Sequence, residues 1–390
     1  MPMNVYMYDL RIDNARVYDP RNGIDQMGSI GIIYPNIAEV FTPAEMAERK
    51  IRICAHKVLD AKGLYVVPGL IDYHSHIFPG MGFNVYEQDL YQHGVTATVD
   101  QGSATHYSFP EDRRRFIDTA KMTVNATLMI SSSGWLQQDI FSVPCKELIN
   151  MEKLIRMIEI HKDVVVGVKS EVQTNDAELA RYILKCQRDA CRATGTHMVC
   201  HISGCPIPMD EALSYFGEDD VVCHTYNAVG QNKVVDGDFK VLDCVWDARK
   251  RGVKFDVARG HRHWNVPVAR ACFDQGFTPD IVTADSTALG DKPLTCQLPT
   301  IMSEVMALGM SFDDVLAATT DTPAALMKGV TCGIRRGNPA NLTVLDIREG
   351  PVDFKDASGN PLAGNKLIVP AATIIKGEVV YNALPDGERY

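Results

Sequence analysis

The chain has 390 residues, 46% of them apolar, enough for one large catalytic domain with a smaller one beside it. A net charge of −10 repels phosphate backbones and sets nucleic acid aside as a partner. The 11 cysteines are odd in number and contain no C-x-x-C pair, which reads as core thiols in a reducing compartment, not as a disulfide framework.

The first residues run straight into Asp9 and Arg11, and no signal peptide or spanning apolar run is read. The expectation is a cytoplasmic protein with no membrane contact. Residues 1–68 read as short strands, with a turn at Asp19-Pro20-Arg21-Asn22-Gly23 and one brief helical stretch near Pro43–Lys50. From residue 70 onward strand and helix alternate. The expected strands are Leu70–His74, Val95–Asp100, Ala126–Ser131, Val164–Lys169, His197–His201, Val221–His224, Lys254–Val257 and Ile281–Ala284. Helices are expected between them at Glu111–Lys121, Met151–His161, Asp176–Thr194 and Leu242–Arg251. Strands alternating with helices imply a parallel sheet, and eight units suit a closed (β/α)₈ TIM barrel. No G-x-G-x-x-G follows the first strand, which argues against a dinucleotide site. The last 50 residues turn strand-like again. The fold class expected is α/β: a barrel at 69–334, and a small β-sandwich built from 1–68 and 335–390.

Six chemistry-bearing residues sit at the carboxyl ends of these strands, where barrel side chains meet. His74 and His76 lie two apart on one strand, so their rings project to the same face. Alone, H-x-H is a weak signal; two imidazoles on one face are half a chelate. His201 and His224 close the fifth and sixth strands, where a single histidine is commonly a satisfied core residue. Lys169 ends the fourth. An ammonium there either reaches out of the barrel mouth, pairs with Glu171, or has reacted with CO₂ to become an anionic carbamate able to bridge two metals. Asp285 ends the eighth strand and is either a helix cap beside Ser286 and Thr287 or a metal-binding carboxylate that shuttles a proton. Nitrogen and oxygen donors favour Zn²⁺, with Mn²⁺ as an alternative.

This pattern resembles the amidohydrolase superfamily over nearly the whole length. The carrying residues are Tyr8-Asp9-Leu10-Arg11-Ile12-Asp13-Asn14, Val66-Val67-Pro68-Gly69-Leu70-Ile71-Asp72-Tyr73-His74-Ser75-His76, Thr322-Pro323-Ala324 and Gly337-Asn338-Pro339-Ala340-Asn341-Leu342-Thr343-Val344. The resemblance implies a site with two divalent metals. His74, His76 and Asp285 would hold the buried ion, His201 and His224 the second, and carboxylated Lys169 would bridge them. Within the superfamily the likeness is to the dihydroorotase-like deacetylase group. It rests on Gly94-Val95-Thr96-Ala97-Thr98-Val99-Asp100-Gln101-Gly102-Ser103, Val165-Val166-Gly167-Val168-Lys169, His224-Thr225-Tyr226-Asn227-Ala228 and Gly276-Phe277-Thr278-Pro279-Asp280.

That group carries a His-Gly-rich stretch after strand seven, where this chain has Arg259-Gly260-His261-Arg262-His263-Trp264-Asn265. The departure puts the substrate in question and leaves the metal chemistry alone. Arg259 and His261 are candidates to hold a substrate carboxylate, for which arginine supplies a planar fork; a solvated charged loop is the plainer alternative, and is preferred for Arg262. Tyr226 and Asn227 are candidates to hydrogen-bond a polar group, or else belong to a turn. The activity implied is hydrolysis of an amide or ester in a small carboxylate-bearing substrate, such as an N-acyl amino acid or an acetylated hydroxy acid. Ring opening of a cyclic amide is the alternative, and a scaffold without catalysis a more distant one. The protein is expected to form a homo-oligomer.

Overall fold

The computed structural model describes residues 5–48, 52–79, 84–134, 146–288, 297–385 and 388–389. Both termini build one mixed sheet of nine strands. Its order is β15-β14-β13-β5-β1-β2-β3, with β4 against β1 and β16 against β4. The amino-terminal members are β1 (Val5–Asp19), β2 (Ile24–Ile33), β3 (Asn36–Phe41), β4 (Arg52–Asp60) and β5 (Tyr65–Pro68). Strand β1 serves two partners in succession: Val5 to Asp13 pair with β4, and Arg16 and Val17 with β5. A bulge between Ile12 and Ala15, with Asn14 at φ 52°, separates these halves. Alternate residues Leu10, Ile12, Ala15, Val17, Ile30 and Ile32 meet Leu342, Val344 and Ile374 in a core separate from the barrel's. The expected helix near residue 43 forms over Pro43–Glu48; Arg49 and Lys50 lie outside the described residues.

Seven parallel strands follow, each paired with the next: β6 (Leu70–Ser75), β7 (Val95–Ala104), β8 (Thr123–Met129), β9 (Val165–Glu171), β10 (His197–His201), β11 (Val221–Cys223) and β12 (Lys254–Phe255). They are buried almost throughout, as strands covered on both faces must be. The eighth expected strand, 281–284, forms no ladder. It bridges both neighbours instead, through Asp256 with Ile281 and through Ser75 with Ser286. Val257 N donates to Ile281 O at 3.0 Å and Ser286 N to His74 O at 3.2 Å, which closes the barrel. Ile71, Tyr73, Val99, Val166, Val199, Val221 and Ile281 form one cluster, a set of strands that only the barrel interior brings together. The chain returns to the nine-stranded sheet with β13 (Leu342–Lys355), β14 (Pro361–Ile375), β15 (Glu378–Asn382) and β16 (Glu388–Arg389).

Three of the four expected helices form close to their expected bounds, at Met151–Ile160, Ala177–Thr194 and Asp243–Lys250. Asn150 and Asp176 cap the first two through their side chains. The helix expected at Glu111–Lys121 is shorter. A single α-turn at Phe109–Asp112 widens into a π-turn over Arg113–Ile117 and stops there. Arg113 at that junction forms ion pairs with both Asp118 and Asp163.

Candidate active site at the barrel mouth

One cavity of about 440 Å³ opens at the carboxyl ends of the strands. His74, His76, Lys169, His201, His224 and Asp285 all line it, together with Glu171, Gln173, Val229, His261, Arg262, His263 and Thr287. The six residues proposed as ligands from the sequence therefore share one space.

The imidazoles are held by one ring nitrogen. His74 Nδ1 lies 3.2 Å from Asp256 Oδ2, His76 Nδ1 2.9 Å from Ser103 Oγ, and His224 Nδ1 2.7 Å from the carbonyl of Ala258. That leaves Nε2 as the second ring nitrogen of each; in His76 it lies 3.1 Å from Asp285 Oδ1, and in His74 3.2 Å from Lys169 Nζ. His201 is held the other way, through Nε2, by Gln173 Nε2 at 3.3 Å and by Ser203 Oγ. Outer partners of this kind fix a ring's tautomer and orientation for metal ligation. Burial drives the protonation of His74 and His224 well below the usual imidazole range, helped by Lys169 at His74 and by His263 at His224. These rings are neutral and offer lone pairs. Burial alone would raise the Asp285 carboxyl. The hydrogen bond with His76 and the electrostatic influence of the surrounding imidazoles outweigh it and hold the group below the ordinary carboxylate range.

Lys169 is 1% exposed. Its Nζ lies 3.2 Å from His74 Nε2 and 3.2 Å from Cys223 Sγ. Burial opposes its charge, while Cys223, Glu171 and Asp285 favour it, so the lysine's proton affinity is raised. Gly102, at φ +75°, passes so close that a Cβ there would stand 2.6 Å from Lys169 Cβ. A buried ammonium facing neutral imidazoles is costly. The same position suits an anionic carbamate among cations. Donor groups of His74, His224 and Asp285 lie within 4.8 Å of one another, as do those of His201, His224 and His263. Neutral imidazoles with a carboxylate are the donor set divalent zinc takes, so the residues present fit such ions.

Buried carboxylates brace the site. Asp72 accepts from His74 N and Ala284 N through Oδ1, and from Ser286 Oγ through Oδ2 at 2.8 Å. Asp100 accepts from the backbone of Ile77, Phe78 and Ser103. Burial pushes the Asp256 carboxyl up to about 8, against the hydrogen bonds of Thr283 and Ala258. None of these three was read from the sequence as part of the site. A carboxylate inside an otherwise apolar strand was the available signal, because buried charge needs a partner.

The structure treats the four substrate-facing candidates differently. Arg259 turns away from the cavity: Nε and Nη2 form a two-pronged pair with Glu304 at 2.9 and 3.1 Å, and Nη2 also reaches the carbonyl of Lys355. Tyr226 is fully buried against Trp264 and Phe273, and its hydroxyl donates to the carbonyl of Phe277. Asn227 closes its own turn, donating to His224 O and accepting from Val229 N. His261 alone of the four lines the cavity, beside Arg262, for which a solvated role was preferred. Gly260 folds this loop inward at φ +48°; a Cβ there would stand 2.3 Å from Asp285 Oδ2 and 3.1 Å from His263 Cδ2.

No protein-family model matches the chain. A deacetylase of Brucella anthropi is 24% identical over 336 residues, spanning 83% of this chain and 81% of the relative. A deacetylase of Enterococcus faecalis is 25% identical over 335 residues, spanning 82% and 88%. An adenine deaminase of Clostridium perfringens is 22% identical over 314 residues, 76% of this chain and 50% of that one. Among solved structures, an adenine deaminase superposes with a TM-score of 0.83 at 24% identity, over 96% of this chain and 100% of that one. A dihydroorotase superposes at 0.81 with 22% identity, over 96% and 99%. These two show the shared fold, the barrel with its terminal sheet. The names of these sequence relatives agree with the resemblance that the motifs carry to dihydroorotase-like deacetylases.

Proposed function

We propose that this protein is a binuclear metal-dependent hydrolase of the deacetylase type. Its substrate would be a small carboxylate-bearing amide or ester, such as an N-acyl amino acid or an acetylated hydroxy acid. The observation that carries the reading is the meeting of His74, His76, Lys169, His201, His224 and Asp285 in one cavity at the strand ends. The names of the sequence relatives support the deacetylase type over ring opening.

His74, His76 and Asp285 would hold one ion, His201 and His224 the other, with Lys169 as its carbamate between them. When bound, such ions, with Zn²⁺ first in order of fit, supply a Lewis acid and a water acidic enough to react near neutral pH. Asp285 is placed to take the proton of that water and return it to the leaving nitrogen or oxygen. Its carboxyl is held below the ordinary range and is therefore anionic at neutral pH. Arg262 and His261 line the cavity as candidates to hold a substrate carboxylate, Arg262 in place of Arg259, which the sequence had offered beside His261. Val229 gives the same wall an apolar face for the acyl methyl.

The test is a substrate panel on metal-loaded enzyme: N-acetyl amino acids, acetylated hydroxy acids, dihydroorotate, hydantoins and adenine. Hydrolysis of the linear acyl compounds, lost on chelation and restored by metal, is the expected result. Activity confined to cyclic amides would replace this reading with the ring-opening one. No activity together with no bound metal would leave a scaffold.

A further inference from the structure

The loop after β12 brings two more imidazoles to the cavity than the motif pattern calls for, His261 and His263. We infer that His263 is a third protein ligand of the second ion, completing a three-histidine cradle with His201 and His224. The inference rests on the binuclear reading and adds to it a residue outside the expected ligand set.

The geometry is specific to this loop. The His263 ring lies 4.0 Å from that of His224 and 4.9 Å from that of His201, between centroids, and ligand atoms of all three fall within 4.8 Å of each other. Its Nδ1 is buried and has no hydrogen-bond partner. That vacancy is unusual, since buried ring nitrogens are commonly paired. A nitrogen lone pair kept from water and protein alike is what an ion would use. Other residues of the loop are held elsewhere. Trp264 packs on Tyr226, Asn265 caps the helix Val266–Asp274, and Arg259 is held by Glu304. His263 is thus carried between two fixed points, and Gly260 lets the loop pass over Asp285 to put it there.

Three imidazoles make the second position a borderline-soft site, with a preference for Zn²⁺, Co²⁺ or Ni²⁺ over oxygen-seeking Mg²⁺ or Ca²⁺. A third fixed ligand also leaves fewer open positions there for solvent or substrate.

The experiment is a metal titration of apoprotein with Zn²⁺ and Co²⁺, read as stoichiometry, affinity and the visible Co²⁺ spectrum, for wild type, His263→Ala and His263→Gln. Wild type should bind two ions. Both variants should keep one ion at unchanged affinity and bind the second roughly 10- to 100-fold more weakly, the range seen when a metal site loses a supporting group. The Co²⁺ spectrum of the second ion should change, and added imidazole should restore its binding in His263→Ala, which a misfolded variant would not allow. If wild type and both variants bind two ions equally and give the same Co²⁺ spectrum, the inference fails while the binuclear reading stands. If wild type binds fewer than two ions, both fall together.

Discussion

His74 Nδ1 lies 3.2 Å from Asp256 Oδ2, and both side chains are sealed from solvent. Asp256 also accepts from Thr283 Oγ1 at 2.5 Å and from Ala258 N at 3.1 Å, so its carboxyl cannot turn. With Nδ1 turned to Asp256, the Nε2 of His74 faces Lys169 and Asp285. Asp256→Asn weakens that hold while keeping the shape. Metal affinity should fall by roughly 10-fold or more, as for other outer partners of ligating histidines. Competition against a calibrated chelator measures it, and an unchanged affinity would reduce the pair to a structural contact.

Asp285 sits against His76 with its carboxylate held in the anionic form. If it moves the proton, Asp285→Asn should lower kcat on the order of 10²-fold or more, beyond its effect on substrate binding. Metal content must be measured beside the kinetics, because Asp285 is also placed as a ligand. A variant that keeps both ions and near-normal kcat would leave Asp285 no part in the chemistry.

Among the described residues Lys169 hydrogen-bonds with His74 and Cys223, while burial lowers its proton affinity and the charges of Glu171 and Asp285 raise it. As a carbamate it would depend on dissolved CO₂. Apoprotein stripped of metal and CO₂ should regain two ions only when bicarbonate accompanies the metal, and Lys169→Ala should not respond to bicarbonate at all. Complete reconstitution without bicarbonate would show an unmodified lysine.

Arg259 and Arg262 lie three positions apart in the chain and should answer differently to truncation. Arg259 neutralises Glu304, which is 1% exposed, so Arg259→Ala strands a buried carboxylate. Breaking such a pair costs about 3 kcal/mol or somewhat more in stability, visible in thermal or denaturant unfolding. Arg262 is exposed at the cavity wall. Arg262→Ala should leave stability within about 0.5 kcal/mol. It should raise KM for an anionic substrate roughly 10-fold, from the loss of one charge-assisted hydrogen bond. An equal rise for an uncharged analogue would remove Arg262 from substrate recognition.

The barrel was legible because its strands are apolar, β-branched runs ending in His74, Lys169, His201 and His224, a pattern that local chemistry writes plainly. The eighth stave was legible as a segment, but its pairing reduces to bridges, which no periodicity encodes. Asp72, Asp256 and His263 escaped because their roles depend on what the fold brings beside them: Ala284 and Ser286, His74, and His224. The exchange of Arg259 for Arg262 has the same cause. A run of cationic residues states that charge is present, and the loop's path over Gly260 decides which side chain faces inward.

Asp72 ties the first stave to the last: one carboxylate carries the backbone of His74, the backbone of Ala284 and the hydroxyl of Ser286. The eighth stave has little ladder of its own, so the seam of the barrel runs beside Asp285 and is closed by Asp72 together with two backbone hydrogen bonds, Ser286 N to His74 O and His76 N to Ser286 O. Amide hydrogens on either side of that seam should exchange faster than those of the laddered strands, and faster still in Asp72→Ala. The residue that must be placed most accurately for the reaction therefore rides on the segment where the native structure breathes first. Loss of activity on warming should precede the loss of helical signal, because the seam can part while the other seven strands remain joined.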